Sequence, residues 1–390
     1  MKKSQVSKHI LVIVIVGMIF SIGFQAGRGN FIFGNSMGSQ NNLPSDIDYS
    51  SVEQVYDNLR QQYDGKLDYN KLMDGLKQGL VSASGDPYTE YLNAEQSKEF
   101  EGSLNGSFEG IGAELSKEND LVIIVAPIAN TPAAKAGLKP KDAIIKINDE
   151  SANGYSVEKA KNKIRGPKDT VVKLTVIRDG KELTFSITRA TINVPSVESE
   201  IVDNIGIIRI FRFGDDTTEL AEKVARDFKS KNVKGVILDL RGNPGGYLTA
   251  SVDVSSLWLN NKVVLKEKRD NKIVKTFKSD NNAILEGIPT VVLIDEGSAS
   301  ASEITAGALK DNSAAKLVGQ KSFGKGSVQQ PQELPSGGIL KVTIARWYTP
   351  NDKNIDKQGI EPDHKVKITE DDIKNKKDPQ LEFAKKLLNK

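Results

Sequence analysis

Strands that alternate with helices constrain the fold of this chain more than any other sequence feature. Residues 235–240 and 290–294 have the length and composition of strands buried inside a sheet. Each is followed by a turn and then by a helical pattern, at residues 248–257 and 301–310. This alternation predicts an α/β sheet within residues 191–368.

A glycine-rich turn, Asp239-Leu-Arg-Gly-Asn-Pro-Gly-Gly246, follows the first of these strands. Its backbone N–H groups could hold an anion at the start of the next helix. The pattern is neither G-x-G-x-x-G nor a Walker loop, and it therefore disfavours nucleotide binding. A tight turn that needs the φ range of glycine would have the same sequence.

The composition excludes several kinds of site. The 390 residues include no cysteine, which excludes disulfides, thiolate metal sites and a cysteine nucleophile. The two histidines are His9, in the N-terminal leader, and His364, so a Ser-His-Asp enzyme would have to use His364. We predict no cofactor and no metal. A formal net charge of +3, with both signs interspersed, gives no reason to expect a nucleic-acid partner.

A serine lies where the second strand, at 290–294, passes into its helix. Ser300 is a candidate N-cap, and Ser300-Ala-Ser-Glu303 has the pattern of a capping box. A serine there is exposed beside the positive end of the helix dipole, which suits a nucleophile and suits a plain cap equally well. Ser298 and Ser302 lie in the same segment, but the phase of the helix favours Ser300.

A lysine is the natural base for such a serine, since histidine is scarce. Lys325 lies 25 residues after Ser300, and Gln329 follows four residues later. In a strand the side chains of Lys325 and Gln329 would face the same side. Burial would lower the pKa of Lys325 toward neutrality, and the Gln329 amide could hold its amine in line with Ser300 Oγ. An exposed, solvated lysine is the alternative.

The chain begins with three lysines in its first eight residues, followed by an apolar run. We predict a signal peptide or signal anchor at 1–26, which places the remainder outside the cytoplasmic membrane. Residues 27–48 have the composition of a linker. Residues 49–105 are predicted to form a helical region that packs on the core or makes a dimer contact, and residues 369–390 a C-terminal helical tail.

Residues 106–190 resemble a PDZ domain. The segment from Thr131 to Asn148 matches the short helix, turn and strand of that family, although Lys141 stands where glycine is frequent. The predicted elements are strands at 111–115, 121–125, 143–147, 171–178 and 182–188, and helices at 133–136 and 156–164. The resemblance implies a loop that binds a peptide's terminal carboxylate while the peptide adds to the sheet edge. This loop comprises Gly110, Ile111, Gly112 and Ala113.

The segments at 239–246, 297–303 and 324–329 together resemble the C-terminal processing, or tail-specific, serine proteases. The resemblance covers about residues 52–390. It implies an α/β fold: a crotonase-like protease core at 191–368, an inserted PDZ domain, and flanking N- and C-terminal helices. The site residues it implies are the nucleophile Ser300, the general base Lys325, its orienting residue Gln329, an oxyanion hole from Ala301 and either Gly245 or Gly246, and Arg165 as a possible PDZ sensor.

These inferences predict a serine endopeptidase of the bacterial cell envelope, secreted or anchored by its N-terminal segment. Its PDZ domain would bind the C-terminal residues of protein substrates and gate activity. We expect the protein to form a homo-oligomer, namely a dimer. We also expect it to associate with the membrane through its leader if the leader is not cleaved. An inactive extracytoplasmic PDZ scaffold is one alternative, but it does not explain why Ser300, Lys325 and Gln329 occur together. A crotonase-type acyl-CoA enzyme would need neither an export signal nor a PDZ domain.

Overall fold

A computed structural model describes residues 48–281, 283–335 and 337–389. The predicted leader at 1–26 lies outside the described residues, as does the predicted linker apart from Asp48. The chain divides into two units, Met1–Leu72 and Met73–Lys390. None of the helices in the described ranges has the length and apolar character needed to cross a bilayer.

The described chain contains nineteen strands and ten helices. The strands are β1 (Glu90–Leu92), β2 (Ser107–Gly110), β3 (Ala113–Glu118), β4 (Leu121–Pro127), β5 (Ala143–Ile147), β6 (Glu150–Ser151), β7 (Val171–Arg178), β8 (Lys181–Thr188), β9 (Ala190–Asn193), β10 (Val197–Val202), β11 (Ile205–Ile210), β12 (Gly235–Asp239), β13 (Val263–Arg269), β14 (Lys272–Lys278), β15 (Thr290–Ile294), β16 (Lys316–Gly319), β17 (Ser327–Glu333), β18 (Ile339–Tyr348) and β19 (His364–Lys365). The helices are α1 (Ser50–Gln62), α2 (Tyr69–Ser82), α3 (Ala94–Asn105), α4 (Pro132–Lys135), α5 (Val157–Ile164), α6 (Thr217–Ser230), α7 (Leu248–Ser256), α8 (Ala301–Asp311), α9 (Glu370–Lys374) and α10 (Pro379–Leu388).

Helix α1 presents its apolar side chains to solvent in the described chain. None of its residues is buried, and Val52, Val55 and Leu59 are exposed. The spacing of these three residues predicts a helix here, and α1 confirms it. The proposed dimer contact through this region stays a prediction.

Residues 106–190, which resemble a PDZ domain, contain a sheet of order β3-β4-β5-β7-β8, with the short β6 paired to β5. The predicted strands and both predicted helices are confirmed to within a few residues, with one correction: the strand predicted at 111–115 begins at Ala113 instead. Gly112 has φ +76°, and the carbonyls of Ile111 and Gly112 accept bonds from Ala133 and Ile128, which hold the chain out of a strand. The ribbon of β2 and β9 lies where the chain enters and leaves this domain.

The core predicted at residues 191–368 is built on a sheet of order β10-β11-β12-β15-β16-β19, parallel from β11 onward. Alternate residues of β12 face two apolar layers. Val236 and Leu238 pack with α6, α7 and α8, whereas Ile237 packs with α10. The α/β sheet predicted from the alternating pattern is confirmed.

A second sheet has the strand path β1-β18-β13-β14. Strand β17 lies off this path and pairs antiparallel with β18. The hairpin of β13 and β14 was not predicted, and helix α3 lies within the helical region predicted at 49–105 without having been located as a separate helix. Signals for both are present: Asp270 and Asn271 have positive φ in a two-residue turn, and Asn93 and Gln96 form a capping box.

Parallel strands β12 and β15 end at the same edge of the core sheet, which brings their following turns together. Ala299 N–H donates to Asn243 O (3.0 Å), and Gly242 N–H donates to Asp295 Oδ1 (2.8 Å). The glycine-rich turn and the serine-rich turn are therefore one structural unit.

Candidate active site

Ser300 caps helix α8 in a strained backbone conformation. Its φ of 53° and ψ of −114° lie outside the regions that a serine usually adopts. The predicted position of Ser300 at the strand-to-helix turn is confirmed. Strain at such a turn is typical of a nucleophile elbow, which holds a side chain exposed over the end of a sheet.

The two neighbouring serines serve the structure of the turns. Ser298 Oγ donates to Leu240 O (2.8 Å), and Ser302 Oγ donates to Asn243 O (3.0 Å). Both side chains are fully buried, whereas Ser300 is partly exposed and lines a cavity of about 370 Å³. Of the three serines, only Ser300 is therefore placed to meet a substrate.

The glycines of the neighbouring turn differ in what their N–H groups contact. Gly245 N–H donates to Asn243 Oδ1 (2.9 Å). Within the described ranges, the N–H groups of Gly246 and Ala301 have no hydrogen-bond partner. A Cβ on Gly245 would lie 2.8 Å from Ser300 Cβ and 3.0 Å from Ala301 N, so the turn passes directly beside the serine.

Lys325 and Gln329 line the same cavity as Ser300. Lys325 precedes β17, and burial lowers the pKa of its amine, with a smaller contribution from the nearby positive charge of Lys341. Among the described residues, Lys325 Nζ has no hydrogen bond or ion pair and lies 5.3 Å from the ring centroid of Tyr88. Gln329 Nε2 donates to Ser327 Oγ (2.7 Å). The three side chains thus share a cavity, although no hydrogen bond between them is present.

Glu303 connects the serine segment to the lysine segment, a role that its place in the predicted capping box does not reveal. Its carboxylate is fully buried and accepts four hydrogen bonds. Oε2 accepts from the backbone N–H groups of Ser300 (2.8 Å) and Lys325 (2.9 Å). Oε1 accepts from Ser322 Oγ (2.6 Å) and Gly324 N–H (2.7 Å). Burial raises the pKa of Glu303, and these four bonds oppose the rise.

Arg241 is a second residue whose role was missed. Its guanidinium bonds Asp239 Oδ2 (2.6 Å), Asp378 Oδ1 (3.0 Å) and Gln380 Oε1 (3.0 Å). Asp378 caps α10, so the guanidinium attaches the C-terminal helix to the start of the glycine-rich turn.

Two residues considered as functional from the sequence, His364 as a base and Arg165 as a sensor, lie away from the cavity. His364 is on the edge strand β19 and does not line the Ser300 cavity. The centroids of the His364 and Phe383 rings lie 5.3 Å apart. The guanidinium of Arg165 lies 4.7 Å from the ring centroid of Phe108 on β2. Its role as a sensor stays a prediction.

The predicted carboxylate loop runs from the end of β2 to the start of β3. Ile111 is buried, and a Cβ on Gly112 would lie 2.5 Å from Thr131 Cβ. The N–H groups of Ile111 and Gly112 have no partner in the part of the chain that the structure describes. Strand β3 is the edge of the PDZ sheet, so a free sheet edge follows directly after these N–H groups.

No group of three or more His, Asp and Glu side chains is arranged to hold a metal ion in the described ranges.

Comparisons with known proteins give the family. The model of peptidase family S41 matches residues 204–366, a PDZ model matches residues 110–188, and the model of the activating protease CtpB N-terminal domain matches residues 33–96. The chain is 38% identical over 343 residues to the carboxy-terminal processing protease CtpA of Bacillus subtilis (strain 168), covering 87% of this chain and 73% of that protein. The chain belongs to peptidase family S41.

Two further relatives agree with this assignment. This S41 peptidase is 38% identical over 336 residues to a CtpA-like serine protease of Staphylococcus aureus (strain MSSA476), covering 85% of this chain and 68% of that protein. The solved structure of a photosystem II D1 C-terminal processing protease superposes with a TM-score of 0.51 at 25% identity, covering 82% of this chain and 87% of that one. The S41 peptidase is thus a serine-type protease of the carboxy-terminal processing family with a PDZ domain.

Proposed function

We propose that the protein is an endopeptidase in which Ser300 attacks the scissile carbonyl and Lys325 accepts the serine proton. The observation that carries this proposal is the Glu303 carboxylate, which bonds the backbone N–H groups of both residues. One buried group thereby fixes the distance between the candidate nucleophile and the segment of its base. Such fixed positioning accounts for a large part of enzymatic rate acceleration.

The lysine must be neutral to act as a base. Burial favours the neutral amine, because removing a charge from water is costly. Gln329 Oε1 has no partner in the described ranges and can accept a hydrogen bond from that amine. To reach both Gln329 Oε1 and Ser300 Oγ, the amine leaves the ring of Tyr88 by rotation of the flexible lysine side chain.

The oxyanion hole is assigned to the N–H groups of Ala301 and Gly246. Gly245 is the weaker candidate because its N–H already donates to Asn243 Oδ1. Two free N–H groups beside Ser300 can stabilise the negative charge that develops on the carbonyl oxygen. Lys325 then gives the proton to the leaving amine, and water hydrolyses the acyl-enzyme by the same steps in reverse.

Substrate selection is assigned to the PDZ domain. The free N–H groups of Ile111 and Gly112 would hold the terminal carboxylate of a protein substrate, and the substrate would add as a strand to the edge of β3. We further propose that the protein acts in the cell envelope and that carboxylate binding gates cleavage.

The test is cleavage of an unfolded protein with an apolar C-terminus. We expect Ser300→Ala and Lys325→Ala to abolish cleavage, while Lys321→Ala, which removes a half-exposed lysine, retains it. Undiminished activity in either of the first two variants would exclude the assigned pair. Folded but inactive wild-type protein that still binds C-terminal peptides would favour the scaffold alternative.

A further inference from the structure

Arg212 contacts both chain segments that connect the PDZ domain to the core. Its Nε donates to Leu104 O (3.2 Å), and Nη2 donates to Asn105 O (3.2 Å), both in the segment that enters the PDZ domain. Nη2 also donates to Val194 O (2.6 Å) in the segment that leaves it. One side chain of the core therefore holds the entry and the exit together.

The surroundings are built for a guanidinium. The Arg212 side chain is only 12% exposed, and Asp216 lies 3.4 Å away as its counter-charge. Asp216 Oδ2 also accepts from Ser196 N–H (3.0 Å), which adds a further bond to the exit segment. Gly106 has φ +61°, and a Cβ there would lie 1.9 Å from Arg212 Cζ, so glycine leaves the space that the guanidinium occupies.

The next residue holds the glycine-rich turn. Phe213 N–H donates to Gly245 O (2.9 Å), and Tyr247 N–H donates to Phe213 O (2.7 Å). These two bonds lie on either side of Gly246, whose N–H is the proposed oxyanion donor. Two consecutive residues thus connect the PDZ linkers to the oxyanion hole.

We propose that Arg212 is a positioning residue that couples the placement of the PDZ domain to the orientation of the Gly246 N–H group. The proposal rests on the proposed function. A displacement of the PDZ domain moves both linkers, and the charge-assisted bonds of Arg212 transmit that displacement to the backbone at Phe213. The orientation of Gly246 follows, because its peptide units are bonded to Phe213.

The experiment uses the full chain and a fluorogenic peptide amide too short to reach the PDZ domain. Its cleavage is measured with and without a saturating, separate apolar peptide that has a free carboxylate; the same peptide with an amidated C-terminus is the control. The ratio of the two rates is the activation factor. The Kd of the activating peptide is measured separately in the Ser300→Ala background.

We expect Arg212→Gln to lower the activation factor about tenfold, a typical size for coupling between two sites, with an unchanged Kd. Arg212→Lys keeps the charge and lowers the factor less. Arg226→Gln, which removes an exposed arginine on α6, leaves the factor unchanged.

Equal loss of the basal and activated rates in Arg212→Gln would overturn the proposal, because a merely structural role has that signature. Arg212→Lys carries the same test if the glutamine variant does not fold. Wild-type protein that cleaves the peptide amide without being activated would overturn the coupling but leave the peptidase function standing. Wild-type protein without Ser300-dependent cleavage would refute the proposed function itself.

Discussion

Replacing Glu303 with glutamine keeps the shape of the side chain and removes one of its two acceptor oxygens. If the amide nitrogen takes the place of Oε2, the N–H groups of Ser300 and Lys325 both face a donor. If it takes the place of Oε1, Gly324 N–H faces a donor and the Ser322 hydroxyl must turn. Ser322 Oγ already accepts a hydrogen bond from Ile360 N–H (2.7 Å), so rotating the hydroxyl would also disturb that bond.

Either orientation leaves at least one buried donor unpaired, and the cost per donor is about 1–3 kcal/mol. We therefore expect the free energy of unfolding to fall by about 2–4 kcal/mol in Glu303→Gln. We expect kcat to fall about 100-fold, because the strained Ser300 and the lysine segment lose their common anchor.

The assays are urea unfolding and peptide cleavage at a temperature where the variant is folded. Glu296→Gln is the matched control, since Glu296 is an exposed glutamate in the same turn. A folded Glu303→Gln protein with the kcat of wild type would refute the positioning argument. A fall in stability without a fall in kcat would reduce Glu303 to a structural role.

Three further predictions test other parts of the site. The kcat/KM should rise with pH as Lys325 loses its proton. Lys341→Gln should shift this rise to higher pH, because removing a nearby positive charge raises the pKa of Lys325. A pH profile that this substitution does not move would contradict the assignment of Lys325 as base. Gly112→Ala should abolish the preference for a free over an amidated substrate C-terminus, whereas Gly154→Ala, at nearly the same φ but with open space around it, should keep the preference. Asn243→Ala should lower kcat by about tenfold or more and the free energy of unfolding by about 1–3 kcal/mol, because the bonds to Gly245 N–H and Ile210 O are lost. Peptide-cleavage kinetics and urea unfolding measure the two effects. An unchanged kcat would show that Asn243 does not position the proposed oxyanion hole.

Local patterns in the sequence were sufficient for most elements. Continuous apolar runs predicted the core strands β12 and β15, and helical spacing predicted α6 and α8. These patterns report which side of an element is buried, and that requirement is local. The bounds of helix α3, inside the helical region predicted at 49–105, were not located because only Ser97 within it is buried, so the spacing of its residues carries little signal.

The sequence by itself determined the family, the presence of a PDZ domain and an α/β core, and the turn that carries Ser300. Only the tertiary structure decided which groups meet there. Glu303 reaches Gly324 across 21 residues, and Arg212 reaches Leu104 across 108. The tertiary structure also gives Gly245 N–H a partner in Asn243 Oδ1, which Gly246 N–H lacks in the described ranges, and it places His364 away from the cavity. Such contacts depend on how whole elements pack, and a pattern of neighbouring residues carries no information about partners so distant along the chain.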